Sequence, residues 1–214
     1  DTRNQSHRDG EIVKFGYKMR KILLTIFCVL ALGANDELVL NASNSFITTM
    51  RKNADAPVKT LLQNAKAVVV FPSITKVGFV LGGMHGKGVM LVGNPYSPGE
   101  MLTVSVSGGS IGLQVGYENS SLVLFILKDS LVADIKDAKI TINADASFAF
   151  ADAGKFYGKV SDFSFTSDIY AYTNNDGFFA GASFGGAVIA KTSDAPLRMD
   201  SYGYNALMSA ISKY

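Results

Sequence analysis

Three glycine-rich stretches carry residues at spacings that chemistry could use. Gly108-Gly109-Ser110-Ile111-Gly112 has the G-x-S-x-G spacing of a nucleophile elbow. That device needs a strand–turn–helix corner and a histidine later in the chain to take the serine proton. An alternating strand pattern follows Ser110, and no histidine comes after His85, so the glycines read as a hairpin between strands. Gly82–Gly88 has the look of a phosphate loop. Its spacing is one residue short, Gly88 stands where Ser or Thr would ligate magnesium, and a strand pattern follows instead of a helix N-terminus. A dinucleotide-binding reading fails for the same reason. Asn174-Asn175-Asp176-Gly177 shares part of a calcium loop, but Tyr172 occupies the first ligand position and no Glu closes it. It reads as a hairpin turn.

Single residues offer little more. His85 is the one histidine outside the N-terminal region, and it sits in a glycine-rich connection. Asp145, Asp152, Asp162 and Asp168 could include a carboxylate pair, although alternation puts Asp145 on the solvent side of a strand. No catalytic residue, metal-ligand set or cofactor is assigned. The cations are more suggestive. Arg51, Lys52, Lys59 and Lys66 fall within 16 residues, on or beside amphipathic helices. Such cations attract anionic lipid while neighbouring apolar residues, here Phe46, Ile47 and Met50, insert or pack. Helix physics alone favours the plainer account, in which the cations cap helices and face water while Phe46 and Met50 cover a sheet.

Composition bounds the elements that must hold these residues. The chain has 214 residues, 48% hydrophobic and 18% charged. This excludes a disordered polymer and suffices for a substantial core. A net charge of +2 is too weak to indicate nucleic acid. Met19-Arg20-Lys21, the apolar run Ile22–Leu32 and the small residues Gly33-Ala34 have the form of a secretory signal peptide. The sequence places cleavage after Ala34, or after Gly33 with Ala31 behind it. Residues 1–18 read as an upstream extension without structure, 19–34 as the signal peptide, and 35–214 as one domain. Losing 1–34 removes six cations and three carboxylates, so +2 becomes −1, and the single Cys, Cys28, goes too. A cysteine-free exported chain suits an oxidising compartment.

Periodicity orders the rest. Leu38, Ala42, Phe46 and Met50 recur every four residues, predicting a helix over 36–52. Val58, Leu61, Leu62 and Ala65 predict a second, with Asp55 as its cap and Pro57 in its first turn. Ala67–Phe71 is an apolar strand that Pro72 stops. Lys76–Gly83 and Lys87–Val92 are strand-like and joined through Gly82–Gly86. Asn94–Gly99 is a loop. Alternation then marks strands around 102–107 and 111–117. Leu122–Leu127 is apolar throughout and central. A short helix over Asp129–Ile135, further strands in 140–150, 163–173 and 178–190, and a helix over 200–213 complete the chain. The expected fold is α+β, with N-terminal helices and a C-terminal helix packed on an antiparallel β-barrel or sandwich.

The blocks themselves have a familiar order. Ala65-Lys66-Ala67-Val68-Val69-Val70-Phe71-Pro72, then Lys76-Val77-Gly78-Phe79 and Gly82-Gly83…Gly86-Lys87-Gly88, resemble the opening of the SYLF domain. Gly108–Gly116 followed by Leu122–Leu127 is similar to its central block. Ala144-Asp145-Ala146-Ser147, Ile169-Tyr170-Ala171-Tyr172 and Gly177-Phe178-Phe179-Ala180-Gly181 resemble its later ones. The resemblance covers nearly all of 36–214. It implies lipid binding: eukaryotic members bind phosphoinositides or phosphatidic acid, some bind actin, and several carry an SH3 or FYVE module. Bacterial members of this kind are exported single-domain proteins.

Residues and resemblance together give one expectation. The chain is a non-catalytic domain that binds anionic phospholipid at a membrane surface, exported to the periplasm or envelope of a bacterium. Arg51, Lys52, Lys59, Lys66 and Lys76 are expected at phosphate headgroups, with Phe46, Ile47 and Met50 supplying apolar contact. With a mature charge of −1, attraction must come from a local patch. The alternative is a structural or protein-interaction component of the envelope, using the glycine-rich hairpins as contact surfaces. Neither nucleic acid nor an identifiable protein partner is expected.

Overall fold

A computed structural model of the chain describes residues 17–21, 35–137, 140–141, 148–150, 165–175, 186–194 and 197–214. The chain divides into two compact units, Asp1–Asn35 and Asp36–Tyr214. The apolar run of the expected signal peptide and residues 1–16 lie outside the described residues. Among the described residues, no helix is long and apolar enough to cross a membrane.

Helix α1 covers 35–52. Val39, Ala42, Phe46 and Met50 are at most 1% exposed, which is the buried stripe that their three- and four-residue spacing dictates. Helix α2, Val58–Asn64, buries Val58, Leu61 and Leu62. Pro57, not Asp55, holds its cap position. It contributes no side-chain bond, but its φ of −76° is already helical and its carbonyl accepts from the Leu61 amide.

Strands β1 (Ala67–Val92) and β2 (Glu100–Ile126) form one long antiparallel hairpin, from Val92↔Glu100 beside the turn to Ala67↔Ile126 at the far end. At about 3.3 Å per residue, such a strand drawn straight would reach roughly 85 Å, far beyond the span of a domain this size. The ribbon instead doubles back. The Gly93 amide donates to the Lys66 carbonyl at 2.8 Å, so the two ends of β1 lie side by side. Gly88 rests against Val70 and Phe71, where a methyl group would stand 2.6 Å from the Val70 carbonyl oxygen. Gly86 meets Ser73 and Ile74 in the same way. Register shifts between Phe71 and Ile74 and between Gly78 and Val80 supply the bends.

This doubling corrects three expectations. Pro72 does not end a strand; it sits inside the first register shift, where a missing amide breaks no ladder bond. Gly82–Gly86 is not a connection, because these residues pair in register with 106–110. Gly108-Gly109 is not a hairpin turn, since both residues continue β2 opposite Met84 and Gly83. Close approach of backbones calls for glycine at Gly86, beside Ser73, and at Gly108, beside Ala187, whereas a side chain at Gly109 would meet open space.

Among the described residues, four short strands extend the sheet. β5 (Ile169–Thr173) pairs with the far half of β2, and β6 (Val188–Lys191) with its near half. β3 (Ile140–Thr141) joins β6, and β4 (Phe148–Phe150) joins β5. The β4–β5 pair is parallel, a departure from the expected antiparallel sheet. The result is α+β as expected, with the sheet curled into a half-barrel. Parts of the expected strands at 142–147, 163–164 and 178–185, and half of the turn at 174–177, lie outside the described residues.

Both faces of the sheet are buried, because successive residues point to opposite sides. Val68, Val70, Val123, Phe125, Tyr170 and Tyr172 meet α1, α2 and helix α4 (Tyr202–Ile211). Ala67, Val69, Phe71, Leu122, Leu124 and Ile126 meet helix α3 (Asp129–Asp137) through Leu131, Val132 and Ile135. Helix α4 is capped by Ser201, whose Oγ accepts from the Tyr204 amide. It is tied to α1 by Asp36, whose Oδ1 accepts from the Gly203 amide at 2.9 Å.

Candidate functional site: a cationic corner and a charged groove

The end of α1 is held from below. Thr49 Oγ1 and Ser121 Oγ of β2 share a hydrogen bond of 2.7 Å. Asn53 is buried and donates from Nδ2 to the Thr49 and Thr173 carbonyls, at 2.8 and 3.0 Å. These bonds fix the last turn of α1 on β2 and β5. Arg51 and Lys52 are carried outward on that turn, exposed, where the negative end of the helix dipole favours them. Lys59 lies on the exposed side of α2 and Lys66 just beyond its end. Between residues 51 and 66 the only carboxylate is Asp55.

The structure separates the apolar candidates from these cations. Phe46 is 0% and Met50 1% exposed, packed under α1 against the sheet. Ile47 is partly buried on the same core. The expected lipid contact by Phe46 and Met50 is therefore corrected: burial of one such side chain is worth about 1.5–3 kcal/mol, and a bilayer would reach them only if α1 left the sheet. Lys76 is also corrected as a headgroup contact. Two residues beyond Ile74, it follows the α3 side of β1, is only 9% exposed, and stands in register with Glu118.

Beyond α2 the surface opens into a groove of about 760 Å3. Its walls are the end of α2, the 93–95 turn, the 127–129 link into α3 and residues 165–168. Backbone bonds set the floor: the Lys66 amide donates to the Ile126 carbonyl at 2.7 Å, and the Leu127 amide to Asp168 at 2.9 Å. Lys128 Nζ lies 2.5 Å from Asp168 Oδ1, and Lys66 Nζ lies 4.0 Å from Asp129 Oδ2. Phe165, 40% exposed, stands edge-on to Tyr170, whose hydroxyl accepts from the Thr166 amide at 2.9 Å.

Sequence reading found Lys66 and weighed Asp168 only as a possible partner of other carboxylates. It missed Lys128 altogether, because no pattern announces that β2 and the approach to β5 end side by side. His85 stands exposed on β1, opposite Ser107. No group of three or more His, Cys, Asp or Glu side chains is placed to hold a metal among the described residues.

A helix-covered half-barrel built on one doubled hairpin is the class this geometry defines. Comparison makes it specific. The Ysc84 family model, described as a Las17-binding protein actin regulator, matches residues 107–208. Protein YSC84 of Saccharomyces cerevisiae is 25% identical over 158 residues, 71% of this chain and 32% of that protein. The chain thus spans about a third of the length of the curated relative it matches. Both matches support a protein of the SYLF-domain, or Ysc84, family.

Proposed function

We propose that the chain is a non-catalytic module that binds anionic phospholipid at a membrane surface through the corner formed by α1 and α2. One observation carries this reading: Arg51, Lys52, Lys59 and Lys66 are all exposed along 16 residues that hold a single carboxylate. A basic residue near an anionic surface contributes about 1 kcal/mol, so the corner attracts a bilayer while the domain as a whole is close to neutral. The pattern of residues 19–34 motivates the setting, a bacterial envelope reached by export.

Co-sedimentation of the purified chain with phosphatidylglycerol vesicles and with phosphatidylcholine vesicles, at low and high salt, tests the proposal. Pelleting with the anionic vesicles alone, weakened by salt, is expected. Lys52→Glu with Lys59→Glu should weaken it by about 30-fold or more, the equivalent of about 2 kcal/mol. Absence of pelleting with anionic vesicles at low salt sinks the proposal.

A second reading is a protein-interaction role, favoured by the match to a family of Las17-binding actin regulators. Crosslinking that captures a protein partner, together with indifference to vesicle charge, would select it.

A further inference from the structure

The groove differs in kind from the corner beside it. Where the corner is nearly all cation, the groove sets two ammonium groups, Lys66 and Lys128, against two carboxylates, Asp129 and Asp168. A simple anion entering it would gain two lysines and meet two like charges. A ligand carrying a phosphate and an ammonium a few ångströms apart has a partner for every charge.

The two carboxylates are also unequal. Asp168 is 17% exposed and sits in close contact with Lys128, which it positions. Asp129 is 84% exposed and touches Lys66 only at 4.0 Å, a distance at which an exposed pair contributes little. Its oxygens are open to a cation arriving from solution. At about 760 Å3 the groove lies within the range of small-ligand sites. Lys66 stands just beyond α2 and lines the groove, so a lipid drawn to the corner is delivered to its mouth.

We propose that this groove binds a zwitterionic phospho-amine headgroup of the phosphoethanolamine type, with the phosphate between Lys66 and Lys128 and the ammonium on Asp129. The inference rests on the membrane reading for its setting, but its chemistry is separate. The same headgroup could arrive on a lipid or as a free phosphate ester.

The test uses the full chain. Vesicles of phosphatidylglycerol are mixed with either phosphatidylethanolamine or phosphatidylcholine at equal anionic charge, and soluble phosphoethanolamine is titrated by calorimetry. Phosphatidylethanolamine should improve pelleting about fivefold over phosphatidylcholine, the scale of one added exposed charge contact. Asp129→Asn and Lys128→Gln should each abolish that gain and leave binding to phosphatidylglycerol with phosphatidylcholine in place. Asp129 is so exposed that its substitution leaves the fold intact, which circular dichroism checks. Lys59→Glu should do the reverse, lowering all pelleting while preserving the preference.

Pelleting without any ethanolamine preference and without calorimetric heat overturns the groove and spares the corner. Calorimetric binding that depends on Asp129, without pelleting on any vesicle, spares the groove as a site for the free ester and overturns the corner. If Asp129→Asn strengthens binding to every anionic vesicle, the carboxylate only competes with Lys66, and the proposal fails.

Discussion

On one face of the sheet three helices lie over valines, phenylalanine and two tyrosines, and hydrogen bonds cross the interface. On the other, among the described residues, one nine-residue helix presses Leu131, Val132 and Ile135 onto aliphatic residues and Phe71. The two faces bury similar side chains but fix their helices differently. Apolar packing is non-directional, and α3 takes its direction from one part-exposed contact, Lys136 Nζ donating to Glu100 Oε2 of β2 at 2.6 Å. Under α1, Thr49–Ser121 and Asn53–Thr173 set where the helix ends. That end carries Arg51 and Lys52, so the polar bonds lie where the position of a surface charge matters. Buried directional bonds lie beneath the cationic corner, while the polar tie of α3 to β2 is made at its part-exposed rim.

The comparison can be broken most severely at Phe46, the largest side chain buried under α1. Phe46→Ala should cost about 3–5 kcal/mol in urea unfolding, from lost transfer energy and the cavity left behind. A loss below about 1 kcal/mol would mean that α1 is only loosely seated.

Adjacent serines sharpen it next. Ser121 faces α1 and Ser120 faces the α3 side, both nearly fully buried. Ser121→Ala strips a partner from buried Thr49 and should cost about 1–3 kcal/mol. Ser120 Oγ makes no hydrogen bond to the protein, so Ser120→Ala should stay within about 0.5 kcal/mol of wild type. Equal costs would erase the distinction between the faces.

Alkaline pH probes the tyrosines of the helix face. Burial, with Tyr170 beside it, pushes the Tyr172 hydroxyl above the ordinary tyrosine value of 10.0. The unfolded chain ionises first, so this contribution is full below about pH 10 and is lost as pH rises toward the folded value. The unfolding free energy of the wild type from urea titrations should fall above pH 10 by up to about 1.4 kcal/mol per pH unit from this group. Tyr172→Phe should flatten that part of the curve, and an unchanged slope would place the titration elsewhere.

The smallest effect belongs to the rim. Lys87 Nζ lies 3.1 Å from Asp194 Oδ2, and Asp194, hydrogen-bonded by Thr192 and by Lys87, is held below the usual carboxylate range. Both partners are substantially exposed, so Lys87→Ala should cost no more than about 1 kcal/mol. A larger loss would show that the rim, not the helix face alone, depends on charge geometry.

Much of this was legible before any coordinates. The α1 stripe, the α2 face, the buried runs at 67–71 and 122–126 and the short helix near 129 all follow from side-chain spacing, because burial on one face leaves a period. The doubling of the hairpin was not legible. Glycine marks turns and close backbone approaches alike, and only the partner strand distinguishes them, as Gly86 and Gly88 show. The candidate site divides the same way. Charge clustered in sequence exposed the corner, and helix physics alone already favoured Phe46 and Met50 as core. The groove could not be read, since Lys66, Lys128 and Asp168 meet only through the topology.

The doubled ribbon has a consequence for how the chain reaches this structure. The 93–99 turn brings Val92 to Glu100 at small cost in loop entropy, and the strands can zip outward from there. Each further pair lies farther apart in sequence, ending with Ala67 on Ile126. The arms of β1 meet only after the bends form, when Gly88 can slide in beside Phe71. Assembly dominated by such distant pairings is slow, on the order of milliseconds to seconds. Through that interval the apolar edges of both arms stand open, and the newly made chain is at its most vulnerable to association with its own kind.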